Sequence, residues 1–465
     1  MAQEFLVRTI ETHNSWVNYL VITPDGKYIV TASGNETIKV WDSSTGELIR
    51  AVQGFYRGVR SVAVSPDGKY LVGCSSDNWI SIWELSTGKE IHSINTGSRG
   101  KNFWVCVSQD GTLVINGIKD INKGFKFWDI STGKNVRWVY NASTRISIPK
   151  SILSPDLKFI IEPTQTYDDN KHRHDYIIRI WEVPPKNESK PKLFNTIYAH
   201  PESITSIAIS SDGKYIFTNS GDGTIKVWEL ETGNHVRTYE VGPIIDLMVI
   251  SPDGEFILGI TKNNLIQIWE LSTGRSIQIL KGHQEGIKAL AISPDGQFIV
   301  SGSKKVIQIW DFSKIVKNFK EGLQELINEL KDSNDEKRTQ NFQNFTTNLL
   351  KMRPSSEREN YASPKIVQLI IEALDDNVPE IRLAAVDILR LLNASQSIEA
   401  LKKVLKDRDP RLRIKATLTL GSLGDKSAID PLISCLKNED TEVRELTVEL
   451  LGKLKDDRAI EPLKE

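Results

Sequence analysis

The chain has 465 residues, 59 Lys and Arg against 60 Asp and Glu, and a formal net charge of −1. That length exceeds one ordinary core and fits two or three domains, and the balanced charge gives no global electrostatic pull toward nucleic acid or an anionic membrane. Cys74, Cys106 and Cys435 stand far apart at no metal or redox spacing, which fits buried free thiols in a reducing compartment.

The amino-terminal MAQEFLVRTIETH has no basic region followed by an apolar run, so it does not read as a signal peptide. No apolar stretch approaches the roughly 20 residues a membrane span needs. The expectation is a cytoplasmic protein.

From here one line recurs: SGNETIKVWDSSTG at Ser33, SSDNWISIWELSTG at Ser75, SGDGTIKVWELETG at Ser220 and TKNNLIQIWELSTG at Thr261. Its tryptophans are Trp41, Trp83, Trp128, Trp181, Trp228, Trp269 and Trp310, each followed by an acid, with gaps of 42, 45, 53, 47, 41 and 41 residues. A period in the low forties with a Trp-acid pair marks a propeller blade of four strands. In TIKVW, Ile225 and Val227 alternate with Thr224, Lys226 and Trp228, which is strand periodicity. An apolar strand and a tight turn precede each line, with Gly26, Gly68, Gly111, Gly213, Gly254 and Gly296 at the left-handed position of the turn. The fourth repeat departs from the pattern, with Leu157 in place of that glycine.

These residues resemble the WD-repeat family over positions 4 to 312. The resemblance implies a closed ring of seven blades and, within many blades, a structural tetrad. Its members are a His before the first strand, a Ser or Thr in the second, an Asp in the following turn and the Trp of the third. The fifth blade supplies all four, His200, Thr218, Asp222 and Trp228. The first has His13, Thr31 and Trp41 but Asn35 for the acid. The seventh has His283, Ser301 and Trp310 without the acid. The second has Asp77 and Trp83 but Phe55 for the His. A buried polar network is useful only when its members are satisfied, so blades lacking one member should shed or replace others. These histidines and acids read as structural rather than catalytic.

After Trp310 the text turns helical, and the missing outer strand is supplied by EFLVRTIETH at Glu4. The amino-terminal strand is expected to complete the last blade and remove two open edges.

The resemblance also implies partner binding on the narrow face, through the residue after each first strand's leading apolar position. These residues are Asn18, Arg60, Thr205, Asp246 and Lys288, with Phe103 in the third blade. The loops entering those strands add Trp16, Tyr56, Arg57 and Lys101. Exposed aromatics with Arg are the usual composition of interface hot spots. The mixed charges point to a protein or peptide rather than a nucleic acid backbone.

Catalytic wording is absent: there is no Gly-x-Ser-x-Gly, no His-Glu-x-x-His and no phosphate loop. YDDNKHRHDY in the fourth repeat offers His172, His174 and Asp175 as metal ligands, but a charged loop tip is the commoner meaning. No metal and no cofactor is expected.

From Lys314 apolar residues at helical spacing, and then Phe342, Phe345, Leu349 and Leu350, predict a helical connector over 313–360. From Tyr361 a second period begins, with Arg382, Arg413 and Arg444 each 31 residues apart and each inside an apolar helix that follows another. Paired helices at fixed spacing form a solenoid. This pattern resembles short HEAT-like repeats, of the kind also found in phycobilin lyases. About three repeats fill 361–465, the last one incomplete. Asp409 with Arg413 and Asp440 with Arg444 are expected to tie adjacent repeats. A further chain or partner is expected at the open carboxy-terminal end.

The fold expected is therefore a multidomain β plus α protein: a seven-bladed propeller over 1–312, a helical connector and an α-solenoid. The function expected is a non-enzymatic interaction scaffold or adaptor, with its partner on the narrow propeller face, the concave solenoid face or both. Two alternatives stand beside it. One is the sensor part of a larger prokaryotic signalling or defence assembly. The other, resting on the HEAT-like resemblance alone, is a bilin lyase-like enzyme or pigment chaperone.

Overall fold

The structure is a computed structural model. It describes residues 4–463 apart from 35–36, 54, 56–57, 76, 98–100, 120–123, 141–151, 169–172, 184–191, 242–244, 262, 352–360 and 362. The chain forms two compact units, Met1–Val316 and Lys317–Glu465.

The first unit is a seven-bladed β-propeller. Five blades are separate four-stranded antiparallel sheets, and the other two are joined in one seven-stranded sheet. The strand that joins them is Leu6–Ile22. Its first half pairs with Lys304–Asp311, as in Leu6↔Trp310 and Ile10↔Ile307, and its second half pairs with Tyr28–Ser33. One strand thus serves blades seven and one, and no sheet edge remains between them. The apolar core is a set of clusters between neighbouring blades. Trp83 packs with Val30, Val40 and Phe55 of the first and second blades, and Trp269 with Phe217 and Tyr239 of the fifth and sixth.

Each blade turns between its first and second strands through one hydrogen-bonded device. In the second blade Ser65 Oγ donates to Asp67 Oδ1 (2.6 Å) and accepts from Tyr70 N–H (2.9 Å). Leu157 sits in this turn at φ 59°, where the second blade has Gly68 at 72°.

The second unit contains paired helices. Helix α1, Phe312–Leu330, starts in the first unit and ends in the second. Helices α2, Asp335–Lys351, and α3, Pro364–Glu372, follow. Then come α4, Pro379–Leu391, α5, Ile398–Val404, α6, Pro410–Ser422, α7, Ile429–Cys435, and α8, Thr441–Leu454. Phe342, Phe345 and Leu349 of α2 share one apolar core with α3 to α8, so the expected connector from 317 onward packs with the repeats.

Arg413 and Arg444 do not make the ties with Asp409 and Asp440 expected of them. Arg413 donates to the carbonyls of Asp407 (2.9 Å) and Arg408 (3.1 Å), and Arg444 to those of Asn438 (2.7 Å) and Glu439 (2.8 Å). Each arginine closes the turn before its own helix. Asp409 and Asp440 are helix N-caps, accepting from Arg411 N–H (2.8 Å) and Glu442 N–H (2.9 Å). The ties between repeats come from Arg382 with Asp407 (3.3 Å), Lys402 with Asp425 (3.2 Å) and Lys415 with Asp387.

Candidate functional site

Strands within a blade alternate in direction. The segment entering the first strand and the turn between the second and third therefore lie on one face of the ring, and the other two hairpins lie on the opposite face. The residues expected to bind a partner share a backbone feature on the first face. In the second blade Val59 pairs with Ser75 and Ser61 with Cys74, so Arg60 is the extra residue of a bulge in the ladder. The same slip leaves out Asn18, Thr205 and Asp246. In the third blade it falls at residue 103, between Asn102↔Ile118 and Trp104↔Gly117. In the seventh, Lys288 N–H donates to Gly302 O just before the regular ladder starts at Ala289. A bulge of this kind bends its strand and re-aims the extra side chain.

Arg60, Asp246 and Lys288 are exposed, and Asn18, Trp16 and Thr205 are half-buried. Thr205 Oγ1 donates to the buried Asn219 Oδ1 (2.7 Å), so its hydroxyl is engaged within the blade. Trp16 lies across the junction of blades seven and one. The Lys288 ammonium stands 5.7 Å from its ring centroid, and a Cβ added to Gly286 would lie 3.7 Å from the ring. Trp16 thus covers the neighbouring blade as well as facing solvent. Tyr56, Arg57 and His172 lie outside the described residues, as do the side chains of Lys101, Phe103 and His174. One residue escaped the sequence reading: Tyr19, next to the bulge at Asn18, is 40% exposed and within electrostatic reach of Arg60. Strand alternation from Leu20 was the signal that could have found it.

The tetrad of blade five is complete. Trp228 Nε1–H donates to Thr218 Oγ1 (2.9 Å), Thr218 Oγ1 lies 2.9 Å from His200 Nε2, and His200 Nδ1 lies 2.8 Å from Asp222 Oδ2. A carboxylate only accepts, so Nδ1 carries the proton and Nε2 accepts from the Thr218 hydroxyl. Burial lowers the His200 pKa, with Asp222 acting against it. In blade one His13 reaches Thr31 (2.9 Å) and Thr37 (3.2 Å), and in blade seven His283 reaches Ser301 (2.7 Å) and Ser303 (2.8 Å). Burial, joined at His13 by the charge of Lys39, holds both imidazoles down to about 4. In blade four Glu162, only 1% exposed, accepts from Trp181 Nε1–H (2.8 Å) in place of the hydroxyl. His200 ends the outer strand of blade four, opposite Tyr176, and His13 lies in the strand shared with blade seven, so these histidine networks tie neighbouring blades together.

The opposite face holds a cleft of about 610 Å³, lined by Pro155, Asp156, Phe159, Asp212, Lys214 and Glu229 among others. Asp156 and Asp212 are already held by Ser154 and Ser210 (2.6 Å each). Among the described residues no three His, Cys, Asp or Glu side chains are grouped as metal ligands. Asp175 is buried at 7% exposure. No helix among them is long and apolar enough to cross a membrane.

Comparison with known proteins agrees with both repeats. The family described as WD domain, G-beta repeat matches residues 4–42, 46–84, 191–229 and 274–311, and the HEAT repeats family matches residues 398–465. The chain carries WD repeats followed by HEAT repeats. It is similar to the Target of rapamycin complex subunit wat1 of Schizosaccharomyces pombe, 22% identical over 39% of this chain and 53% of that protein. The Nuclear distribution protein PAC1 of Arthroderma otae is 26% identical over 66% of this chain and 60% of its own. The Protein LST8 homolog of Dictyostelium discoideum is 37% identical over 27% of this chain and 41% of its own. The chain thus spans about half the length of these curated relatives. They come from eukaryotes, which conflicts with the prokaryotic setting expected above.

Proposed function

We propose that this chain is a non-enzymatic protein-interaction scaffold that holds a partner protein over the bulge-bearing face of the propeller. The observation that carries the reading is the repeated bulge, which sets Asn18, Arg60, Thr205 and Asp246 at one register position on one face, with Lys288 just ahead of the first strand of blade seven on the same face. A catalytic site brings its reacting groups together at one point, whereas this face offers a spaced set of mixed charge around Trp16 and Tyr19. Such a surface matches a protein partner, since buried aromatics and arginines dominate interface energetics. The relatives support it in kind: one is named as a subunit of a complex.

The test compares proteins retained from native extract by the wild-type chain and by an Arg60→Ala, Lys288→Ala variant of unchanged melting temperature. Trp16 is left intact because it packs across the junction of two blades. The scaffold reading expects at least one protein held by the wild type to be lost by the variant. An identical retained set contradicts it.

A further inference from the structure

An apolar cluster fills each of the seven seams between blades, so the blades follow one another around the ring in chain order. In a ring of seven, the second blade lies opposite the seam of the fifth and sixth. Charges near the centre of the bulge-bearing face divide along that line. On one side stand Arg60 of blade two and Lys288 and Lys305 of blade seven, all exposed. On the other stand Glu202 of blade five and Asp246 of blade six, both exposed, with the half-buried Asp222. A Cβ added to Gly221 would lie 2.8 Å from Glu202 Oε2, so that carboxylate lies over the turn that carries Asp222. Of the acids on the basic side, Glu285 meets Lys304 (3.2 Å), Asp77 accepts from the Ser75 hydroxyl, and Glu11 stands on the outermost strand. Lys262 lies outside the described residues.

Blade four raises a wall beside the acidic side. Its second and third strands, Phe159–Asp168 and Arg173–Glu182, run on for five rungs past Pro163↔Ile178, from Thr164↔Ile177 to Asp168↔Arg173. In blade five the ladder ends at the equivalent rung, Asn219↔Ile225. At about 3.4 Å per residue, the blade-four hairpin reaches roughly 17 Å past its neighbour. On its blade-five side Gln165 is exposed and Tyr176 is half-buried.

These features narrow the choice of occupant. A second copy docked face to face would set acids on bases, but the hairpin holds two such rings apart. A further segment of this chain would have to come round the rim, because the chain enters and leaves the propeller on the opposite face. There Asp311 N–H donates to Phe5 O, and Phe312 N–H donates to Gln297 O in a turn between first and second strands (2.9 Å each).

We propose that the partner protein lays one segment across the bulge-bearing face, acidic where it meets Arg60, Lys288 and Lys305, and basic where it meets Glu202, Asp222 and Asp246. Its basic end lies beside the blade-four hairpin. This inference rests on the scaffold reading and adds the charge order of the partner. Opposed charges at the two ends fix the direction of a bound segment and reject its reverse, since like charges brought together are strongly unfavourable.

The test places a photo-crosslinking residue at Tyr19, within electrostatic reach of Arg60, or at Ser203, next to Glu202, so that the charged residues stay in place. Each full-length chain is illuminated in native extract, and the linked peptides are sequenced by mass spectrometry. The proposal expects one partner protein at both positions, linked through an acidic segment at 19 and a basic segment at 203. In an Arg60→Glu, Lys288→Glu chain of unchanged melting temperature, both adducts should fall about fivefold or more. Linked segments of one charge or in the reverse order, or adducts indifferent to the reversal, would overturn the charge order while leaving a partner on the face. No adduct at either position would remove the face reading and this inference with it. An adduct to a second copy, or to another part of the same chain, would overturn the choice of occupant.

Discussion

Phe55 and Gly73 in the second blade are complementary in size: a Cβ added to Gly73 would lie 3.1 Å from Phe55 Cε2. The Phe55 ring meets Trp83 edge-on, with centroids 5.7 Å apart. In blade five the same positions hold His200 and Thr218. One blade joins its strands by a hydrogen-bonded chain, the other by an aromatic ring over a glycine. Gly73→Thr alone should overpack the site and destabilise the chain by about 1–3 kcal/mol. Adding Phe55→His should recover much of the loss, since Asp77 and Trp83 already stand at the remaining tetrad positions. Urea unfolding of the four chains in the cycle decides it, and a double variant no more stable than Gly73→Thr would refute the equivalence.

Leu157 carries a left-handed backbone at φ 59° in the turn where the other blades place glycine. For a residue with a Cβ this conformation costs about 1–2 kcal/mol, partly offset because glycine loses more chain entropy on folding. Leu157→Gly should raise stability by up to about 1 kcal/mol. A lower melting temperature would mean that the leucine side chain, which packs beside Phe127 and Ile160, contributes more than the strain costs.

Acid should weaken the two blades that share the amino-terminal strand. His13 and His283 have folded pKa values of about 4, below the ordinary value near 6.5. Between those limits the unfolded chain binds more protons, so stability is full above about pH 6.5 and falls as pH drops toward 4. The same sign holds for His200, whose pKa is also lowered. A His13→Gln, His283→Gln chain should lose a smaller part of its stability over this window, by more than about 1 kcal/mol. Parallel pH profiles for the two chains would show that the imidazoles do not set the dependence.

Much of the propeller was legible in the sequence because each blade repeats the same local chemistry. The Trp-acid pair, the Ser-x-Asp turn and strand alternation all recur at one period. The helical repeats were equally plain from Arg382, Arg413 and Arg444, but their contacts were not. Asp409 and Arg413 stand four apart on one helix start, which suggests a pair, yet the nearer backbone N–H captures the carboxylate and the turn carbonyls capture the guanidinium. Spacing shows which residues are neighbours and not which of several neighbours wins. The bulges were also invisible as such. The sequence marked Arg60 and its counterparts through the resemblance, while the slipped ladder that re-aims them is a property of strand pairing.

Removing residues 1–10 takes away the partners of Ile307–Trp310, including Leu6 opposite Trp310 and Ile10 opposite Ile307. Blade seven would keep three strands and expose a long edge. The shortened chain should aggregate or melt well below the full one. Equal melting would show that the shared strand contributes little to closure.

The claim that matters most is that a protein partner sits on the bulge-bearing face. A photo-crosslinking residue placed in turn at Arg60, at Lys288 and at Lys69, exposed on the opposite face, reads it directly in native extract. The account predicts protein adducts from positions 60 and 288 and none from 69. Adducts from position 69 alone would contradict it.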